Sequence, residues 1–219
     1  CVILAGGFGT RLGDITDSIP KPMVEIGGKP ILWHIISHYM KFGVSEFIIA
    51  LGYKSNYIKK YFLDLKYLLN DFTLNLSTGH TVHHDESYVY PNITFVDTGL
   101  STSTGSRLRL LQPYLLNYEN FMLTYGDGLS NVNIQSLYDF HCSHSCSASV
   151  TAVRPPARFG ELVLNNDEVV SFQEKPSIST GRINGGFFVF SKSFFDLIPE
   201  HDVMLEREPM ENAISANQL

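Results

Sequence analysis

Short apolar runs alternate with segments of helical spacing from the first residues to about position 155, and this alternation restricts the fold more than any other feature. Val2-Ile3-Leu4 opens the pattern as a strand. From Pro30, "PILWHIISHYMKFG" places apolar residues at helical spacing and stops at Gly43. "EFIIALGY" reads as a buried strand and "SNYIKKYFLDL" as the helix after it. "NITFVDTG" is a strand, "GSRLRLLQPYLL" begins as a helix, and "FMLTYGDG" is a strand ending in a turn. "NIQSLYDFHCSH" is helical and "SASVTAV" is a strand. Strands separated by helical crossovers pair in parallel, so the predicted class is α/β: a Rossmann-like, mixed but mainly parallel central sheet flanked by helices.

Past residue 155 the rhythm changes. "GELVLNNDEVVSFQEKP" predicts a hairpin turning at Asn165-Asn166-Asp167, followed by the strand "GGFFVF" and a short helix "SKSFFDLI". Residues 77 to 91, "STGHTVHHDESYVYP", have weak periodicity and are expected as a loop or hairpin outside the sheet, an insertion suited to function or assembly. With no repeat, low-complexity tract or Gly/Ser linker, residues 1–219 are expected to form one domain.

Composition narrows the function classes. A chain with 44% hydrophobic and 17% charged residues can build an ordinary core. Neither a membrane span nor an export signal is legible, and three cysteines without staple-like spacing fit a reducing compartment, so a cytoplasmic protein is expected. The chain starts at Cys1, one residue before its first strand, which predicts a short preceding leader. A net charge of −6 argues against a broad nucleic-acid surface. An anionic ligand must then be met by a few placed cations.

"LAGGFGTRLGDITDSIPKPM", residues 4 to 23, supplies such cations beside glycines at the end of the first strand. Glycines let backbone N–H groups approach an anion without Cβ clashes, and open α/β sheets bind ligands at strand carboxyl ends. The bland reading is a structural turn with a surface arginine. A dinucleotide fingerprint would want glycine where Leu12 stands, and a P-loop would want Gly-Lys-Ser/Thr.

The longer string is more specific. "LAGGFGTRL", "PKPM" and "GGKPILWH", followed by "VDTG", "TGSRL", "TYGDG", "PPARFGEL", "SFQEKP" and "INGGFFV", resembles the sugar-1-phosphate nucleotidyltransferases, and among them the glucose-1-phosphate cytidylyltransferases. The resemblance runs through nearly the whole chain. It implies the nucleotide-diphospho-sugar transferase type of α/β fold and an enzyme joining CTP to a sugar 1-phosphate with release of pyrophosphate. It also implies Mg²⁺, a homo-oligomer, and a product destined for deoxysugars of surface polysaccharide. Direct in-line transfer rests on alignment and charge neutralisation rather than a covalent enzyme intermediate.

By the same resemblance Leu4, Ala5, Gly6, Gly7 and Gly9 lie against the nucleotide, with Thr10 and Arg11 at its phosphates. Lys21 reaches the phosphates from the far side. Thr102, Gly105 and Arg107 contact the base, although a Ser or Thr there reads equally well as a helix N-cap. Gly126 borders the nucleotide and Asp127 holds the metal; read alone, Asp127 is a turn former. Arg11, Lys21 and Asp127 form the catalytic set. Lys175 binds the sugar phosphate, while Glu174, Asn184 and Gly185 contact the sugar; without the family, Glu174-Lys175 reads as solvated surface. Arg158 is either a further sugar-phosphate ligand or a structural ion-pair partner.

Two other clusters invite metal readings. In "HCSHSC", residues 141 to 146, the ligand-type side chains point in several directions along a helix, so packing is the better reading; "HHDE" at 83 to 86 lacks firm spacing. The relatives continue into a "W-x-P-M-D" segment carrying a second metal aspartate. This chain ends at Leu219 without it, which is expected to reflect truncation or an undefined tail, or else an incomplete metal site. Ser106 stands where relatives commonly have a second glycine. The open alternatives are a cytidylyltransferase for another phosphorylated small molecule, transfer of another nucleotide, and a non-catalytic nucleotide-binding homologue. A nicotinamide oxidoreductase is more distant.

Overall fold

A computed structural model describes residues 1–8, 19–84, 89–155, 161–166, 168–173 and 181–219. A six-stranded sheet forms its centre, built from β1 (Val2–Leu4), β2 (Glu46–Leu51), β3 (Asn92–Asp97), β4 (Asn120–Tyr125), β5 (Ala148–Val153) and β6 (Ile183–Ser191). The spatial order is β3-β2-β1-β4-β6-β5. Four neighbouring strands, β3, β2, β1 and β4, run parallel, and β6 is antiparallel to both β4 and β5. The sheet is therefore mixed and mainly parallel, as the strand–helix alternation predicts. Leu4, Leu51, Asp97 and Tyr125, the last residues of the parallel strands, all reach one edge.

Residues along β1 alternate between two cores. Val2 and Leu4 pack with Leu108, Leu123, Phe188, Phe190 and Phe194; Ile3 and Ala5 pack on the opposite face with Leu32, Ile36, Tyr39, Phe47 and Ile49. A strand covered on both faces has no solvent side, which is why its sequence is uninterruptedly apolar. Helices α1 (Ile31–Met40), α2 (Ser55–Leu69) and α5 (Ile134–Cys142) supply side chains to the second core. The first core is closed by α3 (Thr104–Leu110), α4 (Gln112–Leu115), a 3-10 turn at Lys192–Leu197 and α6 (Glu208–Ser215). Each Ile or Phe buried in this way stabilises the fold by about 2 kcal/mol.

Three local outcomes refine the sequence reading. The helix expected over "GSRLRLLQPYLL" is split at Leu111, because Pro113 has no N–H with which to continue the ladder. Phe72–Leu74 pairs with Thr81–His83 as a separate hairpin, so part of the weakly periodic insertion is strand, outside the main sheet as expected. Glu161–Asn165 pairs with Glu168–Gln173, with Asn165 opposite Glu168, as the turn residues predict. Helix α6 was not foreseen. Its apolar spacing is short and begins at Pro209, a residue compatible with a first helical turn. Among the described residues no helix is long and apolar enough to cross a membrane.

Candidate active site

A cavity of about 330 Å³ opens at the carboxyl ends of the parallel strands. Leu4 to Phe8 form one wall, Lys21 and Pro22 another, Leu100 to Thr104 a third, and Tyr125 to Asp127 the floor edge. A larger cavity of about 610 Å³ lies at the opposite edge, lined by Cys1, Glu46, Asn92, Tyr118 and Asn120 among others. That second space faces the amino ends of β1, β2 and β3, away from Gly6, Gly7 and Lys21. Position and chemistry together favour the smaller one.

The glycine turn is held by close backbone contacts. Ala5 N–H donates to the Ala50 carbonyl at 2.9 Å, and Gly126 N–H donates to the Leu4 carbonyl at 2.9 Å. The Gly6 carbonyl accepts from Tyr53 N–H at 3.2 Å and from Arg107 Nη2 at 3.1 Å. A trans peptide sets the next N–H opposite its carbonyl, so Gly7 N–H is directed away from Arg107. Gly6 has to be glycine for a steric reason: a Cβ there would lie 2.2 Å from Arg107 Nη1.

Lys21 and Asp127 converge at the cavity. The lysine leaves a 3-10 turn at Lys21–Met23, bracketed by Pro20 and Pro22, and its Nζ lies 2.5 Å from Asp127 Oδ2. Both side chains remain partly accessible. Among the described residues no group of three or more His, Cys, Asp and Glu side chains gathers to hold a metal. Asp127 nonetheless fits a hard divalent cation, since Mg²⁺ takes one or two carboxylates and completes its shell with phosphate oxygens and water.

Arg107 has a different task from the base contact expected of it. Its side chain touches the cavity wall but is buried, only 4% exposed. Nη1 donates to the Leu51 carbonyl at 3.0 Å, Thr98 Oγ1 at 2.6 Å and the Gly99 carbonyl at 2.8 Å; Nη2 donates to the carbonyls of Gly6 and Leu100. Burial lowers its pKa from the ordinary arginine range, while Asp97 and Asp202 act in the opposite direction. The guanidinium ties the glycine turn to the 99–100 turn, leaving its fork committed to the protein.

Gly105 also differs from expectation. It faces the 203–205 segment, where an added Cβ would lie 2.9 Å from the Val203 carbonyl oxygen, and it does not line the cavity. Thr102 does line it. Gly185 is pressed against β5, with a Cβ position 2.9 Å from the Thr151 carbonyl oxygen, so close strand packing explains it. Asn184 stands beside the cavity, its Nδ2 3.3 Å from the Tyr125 hydroxyl. Gly9, Thr10, Arg11, Arg158, Glu174 and Lys175 lie outside the described residues.

The candidate zinc segment is packed instead. Ring nitrogens of buried His141 meet Ser149 Oγ at 2.9 Å and Ser191 Oγ at 3.0 Å, and His144 Nε2 meets Ser149 Oγ at 2.9 Å. Of "HHDE", the two acidic residues lie outside the described residues. Sequence reasoning missed Glu206, whose carboxylate reaches both Tyr125 and Thr104. The charged string "EREPME" offered no hint that one exposed glutamate would bond two cavity residues.

The Nucleotidyl transferase family profile matches residues 1–217. The chain belongs to this family. A glucose-1-phosphate cytidylyltransferase of Salmonella typhimurium is 46% identical over 209 residues, spanning 95% of this chain and 81% of that protein. Among solved structures, HddC from Yersinia pseudotuberculosis superposes with a TM-score of 0.67 at 27% identity, covering 94% of this chain and 83% of its own. A UDP-glucose pyrophosphorylase complexed with UDP-glucose shares the fold at TM-score 0.64 and 17% identity, over 100% of this chain and 86% of that one. A Rossmann-like nucleotidyl transferase sheet thus accounts for the strand order found here.

Proposed function

We propose that the protein makes CDP-glucose and pyrophosphate from CTP and α-D-glucose 1-phosphate. The observation carrying this reading is the meeting of Lys21 and Asp127 beside a glycine-lined cavity, in a chain 46% identical to a glucose-1-phosphate cytidylyltransferase. A phosphate oxygen of the sugar attacks the α-phosphorus and a new P–O bond forms. The bond from that phosphorus to the bridging oxygen breaks, and its electron pair leaves with pyrophosphate.

Leu4 to Gly7 approach the nucleotide through backbone, and Lys21 neutralises phosphate charge as it develops. Thr102 and Gly126 border the nucleotide, while Arg107 supports it by fixing the two turns around it. Gly9, Thr10 and Arg11 complete the phosphate contacts in this reading. Glu174, Lys175 and Asn184 meet the sugar phosphate. Asp127 would hold Mg²⁺, which when bound neutralises charge on the phosphate oxygens.

The same reading includes a cytoplasmic homo-oligomer. Exposed Phe72, Leu74 and Val82 on the small hairpin and Leu76 at its turn offer an apolar contact for another copy. Sedimentation of the wild type against Leu76→Glu tests that part. For the chemistry, pyrophosphate release with CTP, UTP, dTTP and GTP, each with glucose 1-phosphate, is the decisive assay. Turnover with CTP is expected to dominate; activity confined to another triphosphate overturns the base assignment.

A further inference from the structure

Glu206 bonds two residues that line the cavity, Thr104 and Tyr125. Its Oε2 accepts from Thr104 Oγ1 at 2.7 Å, and its Oε1 accepts the hydroxyl proton of Tyr125. Thr104 Oγ1 itself accepts from Leu205 N–H at 2.8 Å. Both carboxylate oxygens are therefore engaged by residues lining the cavity.

The consequence reaches Asn184. A tyrosine hydroxyl has one proton, and here Glu206 takes it. The oxygen is then left as an acceptor, and Asn184 Nδ2 donates to it at 3.3 Å. Asn184 Oδ1 already accepts from Gly186 N–H at 2.8 Å, which fixes the amide from its other end. With Oδ1 so engaged and one amide proton on Tyr125, the second amide proton is the group Asn184 has left to offer. An N–H donor suits a phosphate or hydroxyl oxygen and would be mismatched to another donor.

We propose that Glu206 is a positioning residue for the sugar-phosphate substrate, acting through Tyr125 to orient the Asn184 amide as a donor. This rests on the cytidylyltransferase reading. Without Glu206 the tyrosine proton is free to turn elsewhere, and the amide loses its fixed acceptor. Asn184 is not among the residues lining the nucleotide cavity, so the effect carried through its amide should fall on the sugar phosphate.

The test compares wild type with Tyr125→Phe, Glu206→Gln, Glu206→Ala and the Tyr125→Phe/Glu206→Ala double variant. Wild-type turnover of CTP with glucose 1-phosphate checks the parent reading first. If wild type uses a different sugar phosphate, the variants are measured with that one. Tyr125→Phe and Glu206→Ala are each expected to raise KM for the sugar phosphate about tenfold, the scale of one lost hydrogen bond. CTP affinity, read by calorimetry without the sugar phosphate, should stay within about twofold, and the double variant should be no worse than Tyr125→Phe.

Glu206→Gln keeps one carbonyl oxygen for the tyrosine proton and should recover most of the loss. If Glu206→Ala fails to fold, Tyr125→Phe and Glu206→Gln still decide. Unchanged sugar-phosphate KM in Tyr125→Phe overturns the proposal. So does a loss in the Glu206 variants shared equally by CTP affinity, which would mark a purely structural carboxylate.

Discussion

Lys21 Nζ lies 2.5 Å from Asp127 Oδ2, although 106 positions separate the two residues. The pairing joins the end of the glycine-rich segment to the end of β4, so a cation and a carboxylate share one spot at the cavity. Each neutralises the other in the free protein. On the proposed reading, bound nucleotide and metal take over as their partners.

On the proposed reading, Lys21→Ala removes a donor aimed at charge developing in the transition state. Such donors contribute roughly 3 kcal/mol, so kcat/KM should fall about a hundredfold. Steady-state kinetics with CTP varied at saturating glucose 1-phosphate measures it. Wild-type turnover in the variant would remove Lys21 from the reaction.

Chelation of divalent cations is expected to stop turnover, and added Mg²⁺ to restore it. In Asp127→Asn the carboxylate charge is lost, so the Mg²⁺ concentration for half-maximal rate should rise about tenfold or more. A metal titration indistinguishable from wild type would place the cation elsewhere.

Arg107→Met removes the Nη1 donor to the Gly99 carbonyl and the Nη2 donor shared by the Gly6 and Leu100 carbonyls. Leaving buried carbonyls without partners should cost about 3 kcal/mol in a urea unfolding experiment. Gly6→Ala, whose Cβ would lie 2.2 Å from the same guanidinium, should be similarly destabilised. Gly7→Ala is the control: nothing lies within 4 Å of the added carbon, so its unfolding midpoint should match wild type. Equal stability of all three variants would contradict the tie between the two turns.

Acid should weaken the fold through His141. Burial, with His144 adding to it, lowers this pKa from 6.5, so the folded protein holds the ring neutral. Below that value the unfolded chain binds the extra proton first, and stability falls as pH falls. Thermal unfolding at pH 7.5, 6.5 and 5.5 should show this slope, and His141→Gln should flatten it. An equal slope in the variant would assign the effect to other groups.

Much of the architecture was legible because local burial leaves a periodic trace. A strand covered on both faces, such as Val2-Ile3-Leu4, must be apolar throughout. The backbone partners of Arg107 and the contacts of Glu206 were not legible for the converse reason. Their side chains are polar, and polarity by itself does not tell whether a group meets ligand, solvent or backbone.

What the sequence determined alone was the alternation of strands and helices, the glycine turn after the first strand, and membership of a nucleotidyl transferase family. Tertiary structure decided which cation is spent on backbone carbonyls, which carboxylate faces Lys21, and that Glu206 reaches Tyr125 and Thr104. Periodicity reports only whether a residue is covered. Partners as much as 106 positions apart are chosen by how the sheet and its connections pack, because a hydrogen bond requires closeness and direction that spacing along the chain does not encode.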